Sequence, residues 1–229
     1  TIGGAGTKTI TKLNADLDAD LSNISSGTIT AAFEDDGTFT GDLGSATVTV
    51  TDSKTMTAGY SVLNGKTINH DGSESGQALV IQITESDKAG DVGNVSGNIA
   101  KSISFTESQT FTGNVQSLTS TIENSVTVTA AADEFDAKTV NGAGQLTLTG
   151  TGTGGTDLSN ISADILDITG ANLSAGVTFA STISSGDEIK ATAAQVTGKT
   201  IAGAGVLTIS GTASDTNFSA LTAAVVDVT

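Results

Sequence analysis

The chain has no cysteine, no proline and no tryptophan among its 229 residues. Without cysteine there is no disulfide framework and no zinc–thiolate site, and thiolate nucleophiles are excluded. Only seven phenylalanines and one tyrosine supply aromatic rings, so we do not expect a core built mainly on aromatic packing. The apolar residues are chiefly Val, Ile, Leu and Ala interleaved with Thr and Ser, a composition that favours strands.

Basic residues and long apolar runs are also scarce. Nine Lys plus Arg stand against 25 Asp plus Glu, which gives a formal net charge of −16. Such a surface repels phosphate backbones, so the sequence predicts no nucleic-acid partner. No stretch approaches the roughly 18 apolar residues of a membrane-spanning helix, so we expect no membrane insertion. The chain begins at Thr1 rather than at a methionine, and we expect it to be a segment of a larger protein.

Three phrases recur along the chain in the same order. The first is Lys-Thr-Ile or Lys-Thr-Val at Lys66, Lys138 and Lys199, and Thr1-Ile2 is interpreted as a fourth copy that has lost its lysine. A glycine-rich turn follows three of the four, as GGAG, NGAG and AGAG. Recurrence of whole phrases at intervals of 61 to 72 residues indicates a repeat architecture.

The other two phrases complete each module. One reads DLSNIS, DVGNVS, DLSNIS and, loosely, NFSALT, starting at Asp20, Asp91, Asp157 and Asn217. The third phrase precedes each Lys-Thr-Ile/Val phrase, as in KTMTAGYSVLN and DEIKATAAQVT. Between the phrases, apolar residues alternate with Thr, Ser or Asp, which is the period of a strand with one buried face.

A module of this size has too little core to fold alone, whereas stacked modules bury their apolar rows against one another. The sequence therefore predicts an all-β fold, a parallel β-solenoid (β-helix) of about four degenerate modules of 60–72 residues, each with about three coils. The predicted organisation is one continuous repeat array over residues 1–229, with modules at approximately 1–65, 66–137, 138–198 and, in part, 199–229. Tandem small antiparallel β-sandwiches are the alternative, although each would need about 100 residues.

The glycine turns have two interpretations. Gly65-Lys66-Thr67 and Gly198-Lys199-Thr200 match the end of a phosphate-binding loop, but Tyr60 and Ala193 occupy the positions where that motif needs its first glycine. The favoured interpretation is a tight corner, where glycine permits positive φ and close approach of two backbones.

The phrases ATAAQVTGKTIAGAGVLTISG and DLSNISADILDITG resemble the tandem repeats of giant bacterial surface proteins. These S-layer-like and adhesin-like repeat regions are rich in Thr and Gly, acidic and free of cysteine. The resemblance covers essentially the whole chain. It implies an extracellular location at the bacterial cell surface, type I secretion and, as a cofactor, Ca²⁺. The nonapeptide calcium repeat of that class, Gly-Gly-x-Gly-x-Asp, does not occur here as an array.

Asp16, Asp18 and Asp20 form the best candidate metal site. They alternate in NADLDADLS, an arrangement that places three carboxylates on one face of an extended segment. Ca²⁺ takes six to eight oxygen ligands, and clustered carboxylates with loop carbonyls supply them. The sequence therefore gives Asp16, Asp18 and Asp20 as the Ca²⁺ ligands, with a solvated acidic face as the alternative.

Catalytic motifs are not found. His70 is the single histidine and stands beside Asp71 in a glycine-rich stretch, and no Gly-x-Ser-x-Gly elbow accompanies it. Thr-x-Thr pairs such as Thr147 and Thr149 occur about once per module, too rarely for a flat ice- or glycan-binding face, which needs the pattern in every coil. The sequence predicts no enzyme.

The predicted function is structural. We expect a segment of a bacterial surface layer, sheath or filament that self-associates into an oligomer, lattice or filament, with cell-surface polysaccharide as a second partner class. The stalk of a large adhesin, with the binding function elsewhere in the chain, is the first alternative. A carbohydrate-active β-helix enzyme is the second.

Overall fold

The computed structural model describes residues 3–14, 18–25, 27–72, 76–152, 155–173, 177–211 and 217–229. Nearly all of their regular structure is strand, and the strands pair in parallel, as in β1 (Lys8–Leu13) with β2 (Ile29–Phe33). The chain is a β-solenoid of about 10 turns. The predicted parallel β-solenoid is thus confirmed. The alternative of antiparallel sandwiches is wrong, because parallel neighbours one coil apart cannot be joined by hairpins.

Two compact units make up the chain. Unit 1 comprises Thr1–Ser104 with Asn114–Gln116, and unit 2 comprises Phe105–Gly113 with Ser117–Thr229. The four approximate module boundaries stay a prediction.

Unit 1 contains one four-stranded parallel sheet, in the order β1–β2–β4–β6, and a second series in which β3, β5 and β7 are neighbours. Its remaining strands are β3 (Gly37–Phe39), β4 (Thr47–Val50), β5 (Thr55–Gly59), β6 (Ile68–His70), β7 (Ala78–Ile83) and β8 (Ala100–Phe105). Its helical turns are α1 (Tyr60–Leu63) and the 3₁₀ turns Glu85–Asp87 and Val92–Asn94.

Unit 2 is a stack in which two long strands each cross a corner of the solenoid. Its strands are β9 (Gln109–Thr110), β10 (Ser120–Ile122), β11 (Thr127–Ala131), β12 (Val140–Thr151), β13 (Asp157–Leu158), β14 (Ile161–Asn172), β15 (Thr178–Phe179), β16 (Thr182–Ile183), β17 (Glu188–Thr192), β18 (Ile201–Ser210) and β19 (Leu221–Val228). Its helical turns are the 3₁₀ turn Ala132–Phe135 and α2 (Ala193–Val196). The strands β12, β14, β17, β18 and β19 pair in that order.

Inward side chains form continuous apolar rows across successive coils. In unit 2 one row runs Leu146, Leu166, Ile189, Leu207 and Val226, each opposite the next in parallel register. Its first four members are at most 5% exposed. Burial of this kind contributes about 25 cal/mol per Å² of apolar surface. The alternating Val, Ile and Leu of the sequence therefore form the core, as predicted.

Aromatic rings add to the core at particular levels. Phe105, Phe111 and Phe135 are fully buried in unit 2. The Phe105 and Phe111 rings meet edge to face at 5.2 Å between centroids, and those of Phe111 and Phe135 lie 6.5 Å apart. Such pairs stabilise beyond the area they bury. The rings are thus a local supplement to an aliphatic interior.

The repeated Gly-Ala-Gly turn forms a corner, as predicted. Gly142 has φ 108° and Gly203 has φ 117°. A Cβ at these positions would lie 2.3 Å from the Ile122 carbonyl oxygen and 2.2 Å from the Ile183 carbonyl oxygen, respectively. The register shifts just after each of these glycines. Only glycine fits here, because both the backbone conformation and the neighbouring coil exclude a side chain.

The two copies of this phrase lie in one column of unit 2, three coils apart. Gln145 after the first turn pairs with Ile165, which pairs with Glu188, which pairs with Val206 after the second. In unit 1 the partner series Ile10, Ala31, Val48 and Ile68 aligns Lys8-Thr9-Ile10 with Lys66-Thr67-Ile68, also three coils apart. A module therefore contains three coils, as predicted. Thr1-Ile2, interpreted as a fourth copy, lies outside the described residues.

Candidate functional site

The recurring DLSNIS phrase forms the same turn at one corner of successive coils. Asp20, Asp91 and Asp157 each accept, through Oδ1, the backbone N–H two residues later, at 2.9, 3.0 and 2.9 Å. Asn217 makes the same bond at 3.0 Å. Asp and Asn favour this Asx turn because their short side chains reach their own backbone. The phrase is therefore a turn signal.

The same bond occurs where the sequence phrase is no longer recognisable. Asp42 accepts from the N–H of Gly44 at 2.7 Å, and Asn114 from that of Gln116 at 2.8 Å. Backbone pairing stacks Asp20 on Asp42 and Asp91 on Asn114 in neighbouring coils. The retained feature of these six turns is thus one carbonyl or carboxylate oxygen, at a position that both Asp and Asn occupy.

These turn bonds favour the ionised carboxylates. The Ser22 side chain and backbone lower the pKa of Asp20, and Gln116 with the backbone of Gly93 lowers the pKa of Asp91. Ser159 does the same to the pKa of Asp157. A donor to the charged form stabilises that form. Hydrogen bonds in these turns therefore stabilise the charged forms of Asp20, Asp91 and Asp157.

Two of the three predicted calcium ligands lie among the described residues. Asp16 lies outside the described residues. Asp18 accepts a hydrogen bond from the Thr40 hydroxyl, and Asp20 accepts from Ser22 and, at 3.0 Å, from the Asn23 amide. The part of the chain that the structure describes contains no group of three acidic or histidine side chains arranged to hold a metal. Calcium binding by Asp16, Asp18 and Asp20 stays a prediction.

The single histidine ends a strand of unit 1. His70 is half-buried as the last residue of β6, and its backbone N–H donates to Asn98 Oδ1 at 3.2 Å. Its ring Nδ1 accepts from the Gly72 N–H at 3.3 Å. Both bonds hold the chain as it leaves the sheet. These contacts assign His70 a structural task in the turn.

A groove of about 360 Å³ opens on unit 2 between two coils. Its lining combines Asp187 and Glu188 with main chain and hydroxyl groups around Ile161 and Ser184. Burial, followed by the charge of Asp164, raises the pKa of Asp187. A carboxyl with a raised pKa in a concave site is a feature of general acids. No sequence pattern pointed to this groove, since Asp164 and Asp187 belong to different coils.

Coil length explains why this groove is open. Two paired positions, Leu158 with Phe179 and Ile165 with Glu188, bound it on either side. The chain needs seven steps from Leu158 to Ile165 but nine from Phe179 to Glu188 (165 − 158 and 188 − 179). The groove therefore lies where two neighbouring coils differ in length by two residues. Its lining mixes hydroxyl and carboxyl groups with apolar side chains such as Leu166, Ile183 and Ile189.

The last strand presents the most apolar exposed surface among the described residues. Its Val225, Val226 and Val228 are 51%, 39% and 58% exposed, and they are the large hydrophobic side chains found exposed in that part of the chain. Val226 continues the buried row that ends at Leu207. β19 pairs with β18, and no described strand covers its other edge. We call this surface of β19 the uncovered edge.

No family model, no curated protein and no solved structure matches the chain. No helix in the described ranges is long and apolar enough to cross a membrane.

Proposed function

We propose that the chain is a self-associating structural protein, a segment of a bacterial surface layer, sheath or filament outside the cell. One observation carries this proposal. The uncovered edge presents one edge of β19 and the end of a core row, at Val226, to the coil that stacks next, whether that coil belongs to the same chain or to a second copy. An exposed strand edge of this kind is a template for another strand.

The rest of the molecule favours the same role. Its corners hold Asx turns closed within one coil and glycines whose backbone lies against the neighbouring coil. Lys66 and Lys199 each donate to a backbone carbonyl 22 residues earlier, that of Gly44 and that of Val177. The acidic, cysteine-free composition and the resemblance to bacterial surface repeats support the extracellular location. The motifs that repeat thus hold coils together.

Electron microscopy and sedimentation of the purified chain test the proposal. We expect ordered fibres or sheets whose amount rises with protein concentration. Val226→Lys places a charge in the row that a second copy would cover, and we expect it to remain monomeric. Val80→Lys is the matched control, since Val80 is half-buried on the outward side of β7, away from the uncovered edge. Circular dichroism confirms that both variants keep their strands.

A chain that stays monomeric at every concentration contradicts the scaffold proposal and favours the adhesin stalk. Assembly that Val226→Lys and Val80→Lys reduce equally contradicts the role given to β19. The enzyme alternative depends on the groove of unit 2. Release of soluble sugars from a polysaccharide, abolished by Asp187→Asn, would favour that alternative.

A further inference from the structure

One outward face of unit 1 carries a row of hydroxyls that the sequence conceals. Thr9 pairs with Thr30, and Thr30 pairs with Thr47. Thr67 follows in the next coil, because Val48 pairs with Ile68, and a further bridge joins Thr67 to Ser96. Five successive coils therefore present Thr, Thr, Thr, Thr and Ser at one position. We call this surface the threonine face.

The hydroxyls of the threonine face are available to solvent. Those of Thr9, Thr30 and Thr47 make no hydrogen bond to any described residue. Thr67 and Ser96 share a hydrogen bond of 2.8 Å. Thr9 is exposed and the next three threonines are half-buried, so the row lies on the outward side of the coils. A free hydroxyl both donates and accepts.

A second row runs beside the first, two residues further along each strand. It includes Ala32, Thr49 and Asn69, which are paired in register. A shallow groove between the rows is lined by Thr9, Thr30 and Thr49 among others. Parallel pairing sets about 4.8 Å between coils and about 6.6 Å between the rows. The face is thus a two-dimensional lattice of small polar groups.

We propose that the threonine face binds the surface of ice. Solid water is a regular lattice of donors and acceptors, and a rigid lattice of hydroxyls can hold water in matching positions. Threonine is stiff at χ1, and the hydrogen-bonded strands beneath fix its Cα. The first row contains no charged side chain, whereas the second meets Lys12 at the bulge of β1 opposite Ala32, and Glu34 lies at its margin.

A polysaccharide is a poorer fit to this face. Flat sugar rings bind proteins largely by stacking on aromatic side chains, and neither row contains an aromatic ring. A second copy of the chain fits poorly too, because the strands beneath the face are already paired on both sides from β2 to β4. The inference does not rest on the proposed scaffold function.

Inhibition of ice recrystallisation by the purified chain tests the proposal. We expect the unmodified protein to keep ice grains small and to be retained in slowly growing ice. Thr47→Lys places a long charged side chain in the middle of the row, and we expect it to lose both effects. Thr57→Lys is the matched control: Thr57 is a half-buried outward threonine on β5, in the other strand series of the unit, and this variant should retain both effects.

Three results would overturn the proposal. The first is an unmodified chain without effect on ice grains, and the second is equal loss in Thr47→Lys and Thr57→Lys. The third is retention on an insoluble polysaccharide such as cellulose, lost in Thr47→Lys, with no effect on ice. Thr30→Lys repeats the test at a neighbouring coil in case Thr47→Lys does not fold, which circular dichroism and thermal melting will show.

Discussion

Outward positions differ between the two units, although their inward positions follow one rule. In unit 1 the row Thr9, Thr30, Thr47 and Thr67 contains no charge. In unit 2 a row beyond the glycine corner holds mixed side chains in successive coils, namely Thr129, Thr147, Asp167, Lys190, Thr208 and Asp227. Before the corner, the unit 2 row Thr121, Asn141 and Ser162 contains no charge. Inward rows stay apolar in both because a charge there would be buried without a partner.

This difference shows which positions of a solenoid can take on a function. Inward side chains and corner glycines are fixed by the neighbouring coil, whereas outward side chains contact mainly solvent. Unit 1 keeps one side chain type along an outward row, which packing does not require. Unit 2 varies it beyond the glycine corner, where one row mixes threonine with acidic and basic side chains. A uniform outward row therefore calls for a functional explanation, and a mixed one does not.

The largest effect is expected where both units need glycine for the same reason. A Cβ on Gly97 in unit 1 would lie 1.8 Å from the Ile68 carbonyl oxygen, and one on Gly203 in unit 2 would lie 2.2 Å from that of Ile183. Both glycines have positive φ. Gly97→Ala and Gly203→Ala should each lower the free energy of unfolding by roughly 3 kcal/mol, through clash and backbone strain. Urea unfolding followed by circular dichroism measures this.

Gly211→Ala serves as the control for the corner variants. Gly211 also has positive φ, at 79°, but a Cβ there meets nothing within 4 Å. It should cost about 1 kcal/mol, the price of the backbone conformation alone. Equal losses at Gly203 and Gly211 would show that the neighbouring coil does not exclude a side chain.

At the Lys-Thr-Ile/Val phrase we expect smaller changes in the free energy of unfolding, one of which stabilises the chain. The residue before its lysine is Gly65 in unit 1 and Gly198 in unit 2, with φ of 73° and 70°, but Ala137 at φ 53° in the other copy of unit 2. Alanine is strained in this conformation. Ala137→Gly should therefore stabilise the chain, and Gly198→Ala should destabilise it, each by about 1 kcal/mol.

Thermal melting of Ala137→Gly and Gly198→Ala decides this point. Both glycines at this position have open space where a Cβ would lie, so the effect isolates backbone conformation from packing. A fall in melting temperature for Ala137→Gly would contradict the explanation. Differences other than the residue before the lysine would then have to explain the stabilities of the two copies of the phrase.

The smallest expected effects are changes of stability with pH. One carboxyl group in each unit contributes, and the two contributions have opposite signs. Hydrogen bonds from Gln116 and Gly93 lower the pKa of Asp91 in unit 1 below its ordinary 3.8. Its contribution to stability is present above that pH and is lost as the pH falls through the lowered pKa. Burial and the charge of Asp164 raise the pKa of Asp187 in unit 2. Its ionisation is unfavourable in the fold, so stability is gained as the pH falls through the raised pKa.

Asn variants at the two positions separate these contributions. Asp187→Asn should stabilise the chain at neutral pH and have little effect in acid. Asp91→Asn keeps the turn acceptor, as Asn114 does in the neighbouring coil, and should reduce the loss of stability below about pH 4. Melting temperatures measured across pH 3 to 7, a window spanning ordinary carboxyl pKa values, give both comparisons. The same sign for both variants at every pH would contradict the assignment.

Much of the fold could be predicted because its signals are local. Alternation of apolar with Thr or Ser residues marks the inward rows, and Gly142 and Gly203 mark corners that no other residue fits. Ala193–Val196 forms the single helical turn that its spacing indicates. Leu158, Ile161 and Ile165 are spaced as on one face of a helix, yet they lie in strands β13 and β14. Neighbouring coils supply strand partners there that a local pattern cannot show.

The candidate sites escaped prediction because they join residues from different coils. Asp164 and Asp187 are 23 positions apart (187 − 164), and only coil stacking makes them neighbours. Thr-x-Thr occurs about once per module in the sequence, which argued against a flat hydroxyl face. The structure shows that unit 1 fills the gaps with single threonines and a serine in the same row. The sequence pattern did not show this row because a row needs one residue per coil and not one motif per module.

By itself, the sequence determined that the chain is a parallel β-solenoid with three coils per module, since alternation, small turn residues and repeated phrases each follow from short-range constraints. Only the tertiary structure decided which outward residues share a row. Successive members of the threonine face are 21, 17, 20 and 29 positions apart (30 − 9, 47 − 30, 67 − 47, 96 − 67). Corners absorb insertions of different length while strands stay in register. The register is therefore set by burial of the inward rows, and no fixed spacing in the sequence records it.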